Sequence, residues 1–275
     1  MPELPEVKVV CKALKANILN KKISEILIFK PKLFKEKSPS TFIESLKNKI
    51  VLDINNIGKH IIIKLSDNLI LLSHLRMEGK YRFYQKNQEI NDPNLVMKIY
   101  FDSGESLHYV DSRMFGTFHL RNYENYDKIL PISKVAPEPS VNIAEDVFGK
   151  IHRSSTPIKT KLLDQSIVAG IGNIYIDEAL FAAKIHPTTP SSHLSLSQIT
   201  EILKNAKSIM DKSFEKGGTT LISYESLNKQ IGEYQNFLKI HSDKIKNCLD
   251  CGKATEKIKV NQRGTYTCPN CQKVY

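Results

Sequence analysis

His60-Ile61-Ile62-Ile63-Lys64-Leu65-Ser66-Asp67-Asn68-Leu69-Ile70-Leu71-Leu72-Ser73-His74 is the stretch from which the fold is read. Two strand-sized apolar runs, His60–Leu65 and Leu69–His74, flank Ser, Asp and Asn, which favour turns. Outward from it lie further β-type runs: Ile23–Phe29, Ile50–Ile54, Tyr81–Tyr84, Leu95–Phe101, Ser106–Val110 and Gly116–Leu120. Turn formers separate them, as in Asn91–Pro93 and Asp102–Gly104. Short strands at this spacing predict a β-sandwich or barrel.

The flanks read differently. Val7, Val10, Cys11, Leu14 and Ile18 recur at helical steps, with Pro5 near the first helical position. Cys11, on that apolar face, reads as core packing. Pro131–Pro139, with three prolines, reads as a linker. Helical periodicity follows from about Ala144 to Phe214, with two helices meeting near Ala169-Gly170-Ile171-Gly172-Asn173. The expected class is α+β, divided into residues 1–130, a linker at 131–143, a helical domain at 144–237 and a tail at 238–275.

The 275 residues contain 40 Lys and Arg against 29 Asp and Glu, a net charge of +11. That excess attracts polyanions, but a Lys-rich composition alone produces the same number. No apolar run approaches the roughly 18 residues of a membrane span. The acidic, proline-bearing start does not resemble a signal peptide. The expectation is a cytoplasmic protein with no membrane partner.

Four of the five cysteines lie in the last 28 residues, as Cys248-x2-Cys251 and Cys268-x2-Cys271 with sixteen residues between the pairs. This spacing fits a closed four-thiolate site for one structural zinc ion. Ile258–Val260 and Thr265–Thr267 are the expected strands of an intervening hairpin, with Asn261-Gln262-Arg263-Gly264 at its tip. Arg263 there suits a phosphate.

At the other end, removal of Met1 would expose Pro2 as a secondary amine, partly unprotonated at neutral pH and able to attack a sugar C1′. Glu3 and Glu6 stand close by in sequence. Alone, this also reads as an acidic, capped helix start.

A resemblance sharpens these readings. Pro2-Glu3-Leu4-Pro5-Glu6-Val7 resembles the opening of bacterial formamidopyrimidine-DNA glycosylases. The likeness continues through Gly58-Lys59-His60, His74-Leu75-Arg76-Met77-Glu78-Gly79, Asp111-Ser112-Arg113-Met114-Phe115-Gly116 and Ile158-Lys159. It extends through Gly170-Ile171-Gly172-Asn173-Ile174-Tyr175, Asp177-Glu178-Ala179-Leu180-Phe181, Gly217-Gly218-Thr219-Thr220-Leu221 and Gln262-Arg263-Gly264-Thr265.

The resemblance implies an N-terminal β-sandwich, a helix–two-turn–helix domain and a zinc finger. It further implies a monomer acting on double-stranded DNA with oxidised bases or abasic sites. Pro2 is then the nucleophile, Glu3 the general acid/base and Glu6 a supporting carboxylate. Lys59 and Arg263 assist elimination. His74 and Asn173 hold phosphates, and Lys159 lies near the lesion. Met77, Arg113 and Phe115 replace an extruded nucleotide in the stack. Tyr175 is grouped with the DNA contacts, and Gly217, Thr219 and Thr220 belong to a loop covering the extruded base.

Some positions depart from the family pattern. Met114 replaces a residue commonly basic, and Arg76 a usual glycine. Asn91-Asp92-Pro93-Asn94 lacks a customary histidine, Ser154 and Ser155 lack a basic residue, and His241-Ser242-Asp243-Lys244 is atypical. An endonuclease VIII-type enzyme for oxidised pyrimidines is the nearest alternative, although Leu4 and the Met77, Arg113 and Phe115 set argue against it. A non-catalytic DNA-binding zinc protein is another.

Overall fold

Eight antiparallel strands in two four-stranded sheets occupy the N-terminal half of the computed structural model, which describes residues 1–88, 91–220, 227 and 231–275. The strands are β1 (Ile23–Ile28), β2 (Val51–Ile57), β3 (His60–Leu65), β4 (Leu69–His74), β5 (Lys80–Tyr84), β6 (Leu95–Phe101), β7 (Ser106–Val110) and β8 (Thr117–Asn122). One sheet runs β1-β6-β7-β5, the other β2-β3-β4-β8. The expected strands are all present, with ends shifted by a residue or more in four of the eight.

Why β3 and β4 read as unbroken apolar runs is now plain. Ile61, Ile63 and Leu71 enter the main core, where they join Ile26, Ile99 and Tyr109 of the other sheet. Ile62, Ile70 and Leu72, on alternate positions, pack in a second cluster with Ile132. Both faces are buried, so polar alternation is lost. Asp67 and Asn68 take left-handed backbone conformations in the intervening turn (φ 57° and 60°), which their short polar side chains tolerate.

Helix α1 (Leu4–Ile18) adds Val7, Val10, Leu14 and Ile18 to the main core, and a short helix α2 (Pro39–Leu46) adds Phe42 and Leu46. The first helix begins at Leu4, so Pro5 sits one residue further in than the first helical position. Cys11 is buried core, and its enclosure pushes the thiol pKa up to about 12.

The chain forms two units: Met1–Ser133 with Lys216–Glu233, and Lys134–Glu215 with Tyr234–Tyr275. The sequence pattern puts 216–233 with the helical domain, whereas the structure groups it with the sandwich. Residues of the expected linker are anchored within the units they join. Ile132 is buried in the first unit, and the Ala136 amide donates to Gln165 O at 2.9 Å in the second.

The second unit contains α3 (Ala144–Ile151), α4 (Ile158–Leu162), α5 (Asn173–Ala182) and α6 (Leu196–Glu215), followed by the hairpin β9 (Glu256–Val260) and β10 (Arg263–Thr267). Its turn is only Asn261-Gln262, both with positive φ. Arg263 therefore begins the second strand, opposite Val260, instead of lying within a four-residue tip.

Candidate active site and zinc centre

The start of α1 is closed by a reciprocal capping arrangement. The Glu3 carboxylate accepts the Glu6 amide, while Glu6 Oε2 accepts the Glu3 amide at 2.8 Å. Two otherwise orphaned amides are satisfied, and both carboxylates face the positive end of the helix dipole. Pro2, itself buried, directly precedes this box. Glu6 Oε1 accepts the Thr219 amide at 2.8 Å, so one carboxylate ties the chain start to the glycine-rich loop.

That loop is shaped by Gly217 and Gly218, at φ 75° and 88°. The Gly232 amide donates to Thr220 Oγ1 at 3.0 Å, and that of Glu233 to Lys216 O at 3.0 Å. A side chain at Gly232 would meet Gly218 O at 2.2 Å, so only glycine fits. Leu221, quoted in the same block, lies outside the described residues.

A cluster of basic groups gathers on the β2-β3-β4 sheet. Gly58 and Lys59 form the two-residue turn between β2 and β3, with Gly58 at φ 52°. His60 pairs with His74 across the ladder, their rings 4.6 Å apart. Burial lowers the His60 pKa to about 4, helped by the Arg76 charge. Burial, together with His60, Arg76 and Lys59, holds His74 well below its ordinary range. His74 Nδ1 accepts the Arg76 amide at 2.9 Å, which assigns the hydrogen of the neutral ring to Nε2.

Arg76 has a left-handed backbone (φ 53°), a conformation glycine adopts without strain. Arg113 and Phe115 are exposed, the latter by 52%, with the guanidinium 5.0 Å from the ring centroid. Met77 is half-buried, and Met114 packs against the sandwich core.

Asp111 carries no role in the sequence reading beyond its place in a motif. Its fully buried carboxylate accepts the amides of Arg113, Met114 and Phe115 at 3.0 Å each, and that of Gly116 at 2.7 Å. An Asp at the end of a strand, ahead of a loop, is a recognisable acceptor for its own downstream backbone.

In the second unit, the structure encloses two of the expected site residues. Lys159, assigned to the lesion site, is 0% exposed. Its Nζ donates to Asp177 Oδ1 and Thr265 Oγ1, both at 2.7 Å. Asp177 Oδ2 meets His241 Nδ1 at 2.7 Å and the Tyr266 amide at 3.0 Å. A lysine enclosed this way braces the hairpin. Tyr175, grouped with the DNA contacts, is also 0% exposed, with its hydroxyl 2.6 Å from Ser213 Oγ. It is a core side chain.

Asn173 opens α5 after Gly172, and its Nδ2 donates to Gly264 O at 2.9 Å. The helix start and hairpin are thereby joined beside Arg263, which is exposed. Asp177, His241 and Thr265 carry no role in the sequence reading beyond their place in quoted stretches, because nothing local reveals partners up to 106 residues apart.

The Sγ atoms of Cys248, Cys251, Cys268 and Cys271 lie within 4.8 Å of one another. Cys248 to Cys271 is 3.8 Å and Cys251 to Cys268 is 3.6 Å. Zinc–sulfur bonds of about 2.3 Å in a tetrahedron place sulfurs about 3.8 Å apart, so the donor set fits one structural zinc ion with no open position.

Family models cover three segments. "Formamidopyrimidine-DNA glycosylase N-terminal domain" matches residues 1–118, "Formamidopyrimidine-DNA glycosylase H2TH domain" 135–225, and "Zinc finger found in FPG and IleRS" 246–274. The chain is 53% identical over 273 residues to a formamidopyrimidine-DNA glycosylase of Mycoplasmopsis pulmonis, covering 99% of this chain and 98% of that one. It is 51% identical to that of Mycoplasma mobile, with both chains covered in full. A mutant Lactococcus lactis enzyme crystallised with DNA containing Fapy-dG superposes with a TM-score of 0.92 at 34% identity, covering 98% and 99% of the two chains. The same organism's enzyme with abasic-site DNA gives 0.90 at 33%, with the same coverage. With its domains, zinc ligands and relatives in agreement, this chain belongs to the formamidopyrimidine-DNA glycosylase family of DNA-repair enzymes.

Proposed function

We propose that the protein excises oxidised purines, 8-oxoguanine and formamidopyrimidines, from double-stranded DNA and then cleaves the strand at the resulting abasic site. Once Met1 is removed, the Pro2 nitrogen attacks C1′ of the damaged nucleotide. The glycosidic bond breaks, and the base leaves with its electron pair. Glu3 takes the proton that the alkylated Pro2 nitrogen releases and returns it to the ring oxygen as the sugar opens, which yields an iminium between Pro2 and C1′. That electron sink acidifies C2′, so the 3′ phosphate leaves by β-elimination, with Lys59 as acid. The 5′ phosphate follows by δ-elimination, assisted by Arg263.

The arrangement of Pro2, Glu3 and Glu6 supports this reading most strongly. The helix cap holds the two carboxylates beside the prolyl residue, and Glu6 also fastens the 217–220 loop. Neutral His74 suits a phosphate as an Nε2 hydrogen donor, as do the exposed Arg263 and the start of α5 near Asn173. In this reading residues 1–130 are catalytic, 131–143 connect, 144–237 bind DNA and 238–275 form the finger. The protein works as a cytoplasmic monomer. Among the described residues, no helix is long and apolar enough to cross a membrane.

The test is borohydride trapping on a duplex containing 8-oxoguanine opposite cytosine. The expected result is a covalent adduct at Pro2, absent from Pro2→Gly. Binding without any adduct would identify a non-catalytic DNA-binding protein. Preference for thymine glycol would identify the endonuclease VIII-type alternative.

A further inference from the structure

Tyr109, near the end of β7, and Asp111, just past it, lie close in sequence to the exposed Arg113 and Phe115, yet both are 0% exposed. Asp111 gathers four consecutive amides, 113 to 116, onto two oxygens. With those four N–H groups drawn inward to one carboxylate, Arg113 and Phe115 are turned outward side by side. The Tyr109 ring is wedged edge-on between Phe118, at 4.8 Å, and Tyr81, at 5.0 Å.

The far end of that ring meets two glycines. A Cβ at Gly116 would lie 2.1 Å from the Tyr109 oxygen, and one at Gly79 would lie 2.0 Å from the same atom. The segment carrying Met77 and the segment carrying Arg113 and Phe115 are therefore packed against one rigid phenol. Burial pushes its pKa far above the ordinary range, so it acts as an uncharged spacer.

We propose that Asp111 and Tyr109 are positioning residues, a buried clamp that fixes Met77, Arg113 and Phe115 as one preorganised unit for replacing an extruded nucleotide in duplex DNA. This rests on the functional reading above. Neither residue touches the reacting atoms. Preorganisation matters because a wedge that must order itself during insertion loses side-chain and loop entropy at that moment.

The clamp is needed only where a stacked duplex has to be opened. Asp111→Asn presents an NH2 to amides that require an acceptor. It should slow 8-oxoguanine excision from duplex about tenfold or more, since one mispaired buried group is worth that factor. The rise in fluorescence of a 2-aminopurine beside the lesion, which follows extrusion, should slow in parallel. Cleavage of an abasic site in a single-stranded oligonucleotide should stay within about twofold of wild type, because there is no stack to invade.

A pair of further variants covers the case in which Asp111→Asn fails to fold. Gly116→Ala should show the same duplex-specific loss, and Gly116→Ala with Tyr109→Phe should recover part of it. Removing the oxygen leaves the nearest ring carbon 3.0 Å from the new methyl. Equal loss on both substrates, or no recovery in the double variant, overturns the clamp. A wild-type protein that neither excises the base nor forms a borohydride adduct overturns the functional reading instead.

Discussion

Glu6 and Thr219 are 213 residues apart in the chain, yet Glu6 Oε1 accepts the Thr219 amide at 2.8 Å while its other oxygen completes the cap of α1. One carboxylate thus couples the position of the chain start to the shape of the glycine-rich loop.

Glu6→Gln retains one carbonyl oxygen and turns an NH2 toward the second amide. Loss of such a cap costs about 0.5–2 kcal/mol. The expected result is a matching decrease in urea stability together with faster hydrogen exchange at the Thr219 amide. Unchanged exchange there would show that the loop does not depend on Glu6.

The Lys159–Asp177 pair is fully enclosed. Removing one partner leaves the other charge buried, a change worth about 3–5 kcal/mol. Lys159→Met should accordingly destabilise the protein strongly in denaturant titrations and weaken DNA binding through the displaced hairpin. Normal stability with a selective loss of lesion recognition would instead support a role for Lys159 at the lesion site.

His60 and His74 are held neutral by burial, with His60 at about 4 against an ordinary 6.5. The unfolded chain takes up protons below pH 6.5 that the folded chain refuses. The stability these groups contribute is therefore complete above pH 6.5 and is lost as the pH falls toward 4. Thermal melts should show this decline between those limits, and His60→Phe should flatten it by removing one of the two titrating rings. A variant with the same acid slope as wild type would assign the effect elsewhere.

Zinc removal by a chelator should release one equivalent of metal and unfold the β9–β10 hairpin, because the four thiolates form its base. Lys159 and Asn173 contact that hairpin at Thr265 and Gly264. DNA affinity should therefore fall with the metal, as followed by fluorescence anisotropy, and Cys251→Ser should reproduce the loss. Retained affinity in the metal-free protein would mean that Arg263 is not held by the finger.

Much of this protein is legible in local pattern. The strands are marked by apolar runs between turn formers, α1 by its apolar spacing, and the zinc centre by two Cys-x2-Cys knuckles at hairpin distance. These signals survive because period and turn chemistry are properties of neighbouring residues. The sequence also marks Glu3 and Glu6 as helix-start carboxylates, but it could not show that Glu6 reaches Thr219. Nor could it separate motif residues that face solvent from those that are enclosed. Arg113 and Phe115 stand outward because Asp111 collects the amides beneath them, whereas Lys159 and Tyr175 are sealed by Asp177, Thr265 and Ser213. Burial and hydrogen-bond partnership are set by segments brought together from across the chain, so tertiary packing alone decided which of these residues stand exposed and which are enclosed.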